Sequence, residues 1–132
     1  MEENERITLL DNESVTIDLD DGILIAKWKA THINLATAQL AIKYRLECTD
    51  NKAYPVIINI KVVSSITKDA RSFLASEQGS EGIIAGAILI DSPIGSILGN
   101  FFIAINKPLR PSKIFTDELK ARKWLIKYVS EN

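Results

Sequence analysis

Two short runs in this chain contain almost no polar residue, and they restrict its possible folds more than any other feature. Residues 56–60 read Val-Ile-Ile-Asn-Ile behind Pro55, and residues 83–90 read Ile-Ile-Ala-Gly-Ala-Ile-Leu-Ile. A strand with one wet face alternates apolar and polar residues. A strand without alternation is covered on both faces, as in a parallel sheet. Parallel neighbours need a long crossover between them, usually a helix. The runs therefore predict two central strands with helical segments on either side.

The remaining residues supply those segments. Residues 6–10 and 14–19 read as strands. Val15, Ile17 and Leu19 alternate with Thr16 and Asp18, and Asp11-Asn12-Glu13 forms the turn between the two strands. Asp20-Asp21-Gly22 is a second tight turn, and residues 23–29 return as a third strand. Asn34 is placed to cap a helix over 35–48, in which Leu35, Ala38, Ile42 and Leu46 lie near helical spacing. Residues 64–67 lead into a helix over 68–76, with Ala70, Phe73 and Leu74 inward. Asp91-Ser92-Pro93 starts an apolar helix over 93–105, with Ser92 as its cap and Pro93 at its first position. Pro108 and Pro111 impose an extended segment, and 113–115 adds an edge strand. Thr116 caps the last helix, whose Ala121, Trp124, Leu125 and Tyr128 form an inward stripe. The expected class is α/β: one mixed sheet with N-terminal antiparallel strands, then alternating helices and strands. Residues 1–132 read as one domain, with a meander over 1–29 and an alternating portion over 34–130.

Composition excludes several functions. The 132 residues include one cysteine and one histidine, too few for a disulfide scaffold or a Cys/His zinc site. A net charge of −1 argues against a nucleic-acid-binding module. Residues 82–105 carry only Asp91 as a charge over 24 positions, but Asp91-Ser92-Pro93 and four glycines interrupt them, so no membrane span is expected. The N-terminal residues lack the pattern of a signal peptide, which makes a cytoplasmic location the expectation. The near-neutrality hides a polarity. Residues 1–21 hold eight acidic residues against Arg6, and 107–127 hold seven basic ones against Asp117 and Glu118. Both segments read as solvated faces.

The segment 54–74, Tyr-Pro-Val-Ile-Ile-Asn-Ile-Lys-Val-Val-Ser-Ser-Ile-Thr-Lys-Asp-Ala-Arg-Ser-Phe-Leu, resembles the strand–loop–helix centre of STAS-like domains. These are the small α/β domains typified by bacterial anti-sigma factor antagonists. Gly99-Asn100-Phe101-Phe102, Lys107-Pro108-Leu109-Arg110-Pro111, Phe115 and Trp124-Leu125 resemble an uncharacterised bacterial family of that kind. The resemblance spans roughly 21–129. It implies the fold, and a protein partner or self-association. In the antagonists an Asp-Ser pair opens the helix after the strand, and phosphorylation of the Ser switches partner binding. Here Thr67 and Lys68 stand at those positions, and lysine cannot take that phosphate. Ser64, Ser65 and Thr67 remain as phosphorylation candidates near a helix N-terminus.

No catalytic constellation emerges. His32 has no Gly-x-Ser-x-Gly partner motif and reads as a surface residue. Cys48 has no activating neighbour in sequence and reads as a packing residue. No phosphate loop, calcium loop or metal cluster is spelled out, and no cofactor is expected. Two candidate sites remain. Ser64, Ser65, Thr67 and Ser92 would gather at the carboxyl edge of the parallel strands as an anion or phosphopeptide site. Ile94, Gly95, Leu98, Gly99, Phe101 and Phe102 of the apolar helix would offer a homodimer seam or a pocket for lipid or a small apolar ligand. For the pocket, the fold-level analogy is to CRAL-TRIO lipid-binding domains.

Overall fold

The computed structural model describes residues 6–92 and 109–129, so the helix expected over 93–105 lies outside the described residues. The described elements follow the order β1 (Ile7–Asp11), β2 (Val15–Asp20), β3 (Ile23–Trp28), β4 (His32–Ile33), α1 (Leu35–Cys48), β5 (Tyr54–Asn59), β6 (Ser65–Ile66), α2 (Lys68–Ala75), β7 (Ile83–Leu89), β8 (Ser112–Phe115) and α3 (Glu118–Leu125). A 3₁₀ turn, Ile126–Tyr128, extends α3. Six strands form one sheet in the order β1-β2-β3-β5-β7-β8. The first three pair antiparallel, and β3, β5, β7 and β8 pair parallel.

The hairpin between β2 and β3 turns on Asp21 (φ 55°) and Gly22 (φ 81°), with Asp20 paired to Ile23. Two successive residues at positive φ give a turn whose twist matches the strands, and Asp-Gly is the residue pair that tolerates it. A Cβ on Gly22 would also lie 2.8 Å from Val129 Cγ1, so Val129 packs directly over this turn.

The alternation of each strand sorts its residues into two cores. Val15 and Ile17, Leu24, Ala26 and Trp28, Val56 and Ile88 face α1 and α2, where Ala38, Ala41 and Ala70 meet them. Ile23, Ile25, Ile57, Ala85, Ala87 and Leu89 face the opposite side, where Ala121 and Leu125 of α3 cover them. Trp124 joins Phe115 and Tyr128 at ring-centroid distances of 5.7 and 5.3 Å along that second core. The central strands are thus buried on both faces, as their lack of alternation requires.

Two local expectations need correction, and one feature goes unanticipated. Pro55 lies inside β5 rather than before it. The β5–β7 register shifts between Tyr54 and Pro55, and the pairing with β3 begins at Val56, so the missing proline N–H interrupts no regular ladder. The last helix is capped by Asp117 rather than Thr116, with Asp117 accepting the Leu119 N–H at 3.0 Å. Adjacent cap-forming residues cannot be ranked without knowing where the chain leaves β8. Finally, β4 and β6 pair in parallel as a separate two-stranded ladder. Two residues are too few to carry a periodic signal.

Two caps stand where the sequence puts them, while the helix expected to be capped by Ser92 lies outside the described residues. Asn34 accepts the Thr37 N–H at 2.8 Å, and Thr67 accepts the Ala70 N–H at 3.3 Å. Replacing Asn34 with alanine leaves that α1 donor to water and should cost about 1 kcal/mol, measured by urea unfolding.

Candidate functional site

Between the sheet and α1–α2 lies a cavity of about 80 Å³. Val15 and Ile17, Ala26 and Trp28, and Val56 and Ile58 form its floor, and Ala41, Ile42 and Leu74 form its roof. Its origin is local: Ala26 and Ala41 both stop at Cβ, so sheet and helix cannot interdigitate there. Gly79, Ile83 and Arg45 complete the wall.

Arg45 was not marked by the sequence as a site residue. The buried ridge of α1 is Ala38, Ala41 and Arg45, while Leu35, Ile42 and Leu46 flank it half-buried. Arg45 is only 4% exposed. Its Nη1 donates to Glu81 O at 2.8 Å and its Nη2 to Gly79 O at 3.3 Å. It makes no ion pair with any described carboxylate. Burial pushes its pKa down to about 10, so the guanidinium remains charged at neutral pH. The one available signal was spacing: Arg45 stands four residues after Ala41 and seven after Ala38, in line with a stripe of small residues. Charged residues are almost never fully buried, and that expectation placed it outside.

The 76–82 strap wraps the guanidinium. Ser76 O accepts the Ser80 N–H at 2.9 Å, Ser76 Oγ accepts the Gly79 N–H at 3.2 Å, and Gly82 O accepts the Tyr54 N–H at 3.0 Å. A Cβ on Gly79 would fall 2.1 Å from Phe73 O, and Gly82 sits at φ 81° with Arg45 Nη1 3.0 Å from any added Cβ. Both glycines are needed to bring the backbone this close to the charge.

At the carboxyl edge, the structure brings together Ser65 and His32: Oγ and Nδ1 are 2.7 Å apart, both side chains exposed on the β4–β6 ladder. Thr67 is occupied as the cap of α2, and its hydroxyl also donates to Asp69. Ser64 is exposed, and its backbone N–H donates to Thr31 O at 2.7 Å. Ser92 is half-buried just beyond β7. Ile94, Gly95, Leu98, Gly99, Phe101 and Phe102 lie outside the described residues. Cys48 donates to Arg45 O, and burial pushes its thiol pKa up, which suits packing rather than nucleophilic chemistry. No cluster suited to a metal ion occurs among the described residues.

The two charge-biased segments are not merely solvated, because the sheet joins them. Asp18 and Asp20 project from the face of β2 opposite Ile17, toward α3. Arg122 Nη2 meets Asp20 at 2.9 Å and its Nε meets Glu118 at 3.0 Å, while Arg6 meets Asp18 at 2.6 Å. Burial opposes the Arg122 charge, but hydrogen bonds to Glu118 and Asp20 outweigh it and raise the pKa. Replacing Arg122 with methionine should cost about 1 kcal/mol, less in high salt, read from denaturation at two ionic strengths.

A parallel sheet entered through an antiparallel meander, with helices on both faces, is the architecture of STAS-like domains. A protein of the DUF3478 family with a SpoIIAA-like fold, from Shewanella loihica PV-4, is similar at a TM-score of 0.62 and 13% identity over 95% of this chain and 98% of that one. A protein of unknown function from Arthrobacter sp. FB24 is 26% identical over 89% of this chain and 97% of that one, with a TM-score of 0.34. No curated protein matches. The chain belongs to the domain-of-unknown-function family DUF7793, whose model matches residues 17–129. Its fold is SpoIIAA-like, and among the described residues no helix is long and apolar enough to cross a membrane.

Proposed function

We propose that this domain acts by binding rather than catalysis, and that its ligand is a small, mainly apolar molecule held between the sheet and α1–α2. The observation that carries the reading is the void of about 80 Å³ with its apolar walls. Protein interiors are close-packed, and an empty void forfeits dispersion contacts along its lining. A ligand of a few carbons restores them. Apolar cavities of about 150 Å³ take benzene, so this one suits a chain of about three or four carbons. The described lining of this pocket comes from the sheet, α1 and α2, and the 93–105 segment considered in the sequence lies outside the described residues.

The test is a methyl-NMR titration with n-butanol. Saturable shifts confined to Val15, Ile17, Val56 and Ile58 are expected. Ala41→Leu, which adds an isopropyl group inside a helix that accepts leucine well, should abolish them while the protein stays folded. Scattered, non-saturable shifts in the wild type would remove the reading.

A second reading is a protein partner or a second copy docking at the carboxyl edge. It is favoured by the exposed Ser65–His32 contact at 2.7 Å. A phosphoryl group on Ser65 would place a dianion beside His32 and close to the start of α2. Light scattering after size exclusion, together with in-cell crosslinking, tests it on wild type and Ser65→Asp. A monomer in both proteins without crosslinked adducts counts against this edge.

A further inference from the structure

We infer that Arg45 makes the cavity a site for a short-chain monocarboxylate, with the carboxylate on the guanidinium and the hydrocarbon tail in the void. This rests on the ligand-binding reading above and adds the head group to it.

Buried charges are normally paired, because an isolated ion in an apolar interior is costly. Arg45 is 4% exposed, yet its partners are two backbone carbonyls, the second at 3.3 Å. Glu81, whose carbonyl takes the shorter bond, is exposed, and its carboxylate favours the Arg45 charge from a distance without forming an ion pair. A guanidinium carries five N–H donors in a planar fork, and these bonds engage only two of them. The site therefore holds a cation with no ion-paired carboxylate among the described residues, at the edge of an apolar void.

The rest of the lining decides which anion fits. Apart from Arg45, the described side chains around the void are aliphatic or aromatic, with Gly79 contributing backbone. A phosphate or sulfate needs several donors around its oxygens, and a sugar needs partners at both ends. This wall supplies neither. A carboxylate can take a guanidinium fork with both oxygens, and its hydrocarbon end matches the floor formed by Val15, Ile17, Val56 and Ile58. The cavity of about 80 Å³ limits the tail to a few carbons. Gly79 and the carbonyls of the 76–82 strap border the same guanidinium, so the strap forms the rim at the charged end.

Titration calorimetry and methyl NMR with sodium butyrate, and with its neutral isostere butyramide at matched ionic strength, test the inference. Butyrate should bind about tenfold more tightly than butyramide, the difference expected of one charge-assisted contact. Arg45→Lys, which keeps the charge but loses the fork, should reduce butyrate affinity about tenfold and leave butyramide unchanged. Should that variant fail to fold, the comparison of the two ligands on the wild type still decides. Equal affinities for butyrate and butyramide would overturn the carboxylate assignment while leaving the cavity as a ligand site. Sodium chloride reproducing the butyrate shifts would overturn it as well. Absence of binding by butyrate, butyramide and n-butanol alike would remove both readings.

Discussion

Replacing Leu125 with alanine should lower the stability of this domain by about 3 kcal/mol, seen as an earlier urea midpoint at unchanged slope. Leu125 is fully buried against Ile23, Ile25, Ile57 and Leu89. The helix that carries it has eight residues, too short to persist on its own propensity. Its other fully buried residue, Ala121, contributes only a methyl group. Leu125 is therefore the one large side chain that α3 buries completely, and its truncation leaves a cavity that the surrounding side chains only partly collapse to fill. Amide exchange in α3 should accelerate with it. Leu119, on the same helix but 70% exposed, serves as the control: its alanine variant should change stability by less than about 0.5 kcal/mol. Equal effects at the two positions would mean that α3 is not seated as described.

Arg45→Ala should have a comparable cost, about 3 kcal/mol, for a different reason. The guanidinium bonds to Gly79 O and Glu81 O tie the 76–82 strap to α1. Removing them leaves Gly79 O buried without its donor and enlarges the adjoining void. Arg45→Met fills most of the same space and avoids burying a charge, so it should recover part of the loss. The sign of the pH effect follows from the lowered pKa. Below about pH 10, Arg45 is charged in both folded and unfolded states, and its desolvation counts against the fold. As pH rises past that value the folded state loses its proton first, and the penalty from this group lifts. The urea midpoints of wild type, Arg45→Ala and Arg45→Met at neutral pH give the comparison. An alanine variant as stable as the wild type would show that the strap does not depend on the guanidinium.

Much of the architecture was legible because it repeats along the chain. The alternation of Val15, Ile17 and Leu19, the unbroken run through Ile57, and the cap residues Asn34 and Thr67 each rest on interactions within a few residues. Those elements stand within about two residues of where the sequence places them. The STAS-like resemblance likewise fits the DUF7793 match over 17–129 and the SpoIIAA-like neighbour. The serine-rich edge was partly legible: Ser65 was singled out, but its contact with His32 was not, because residues 33 positions apart meet only through the β4–β6 ladder.

The candidate pocket was the least legible feature. Only its spacing from Ala38 and Ala41 distinguishes Arg45 from Lys43 or Arg71, and a charged residue is assigned to the surface by default. Only the packing of α1 on the sheet turns the Ala38–Ala41–Arg45 ridge inward, and only the strap between α2 and β7 supplies carbonyls to receive the charge.

The amino-acid sequence by itself therefore determined the strands of the main sheet, the caps at Asn34 and Thr67, and the mixed antiparallel-then-parallel sheet, since hydrophobic period and turn chemistry act over short stretches of chain. Tertiary structure alone decided three things: the pairing of Asp20 with Arg122, the contact of His32 with Ser65, and the burial of Arg45 beside a void. Each depends on distances between segments far apart in the chain, which are set by how helices lie on the sheet and not by any local preference.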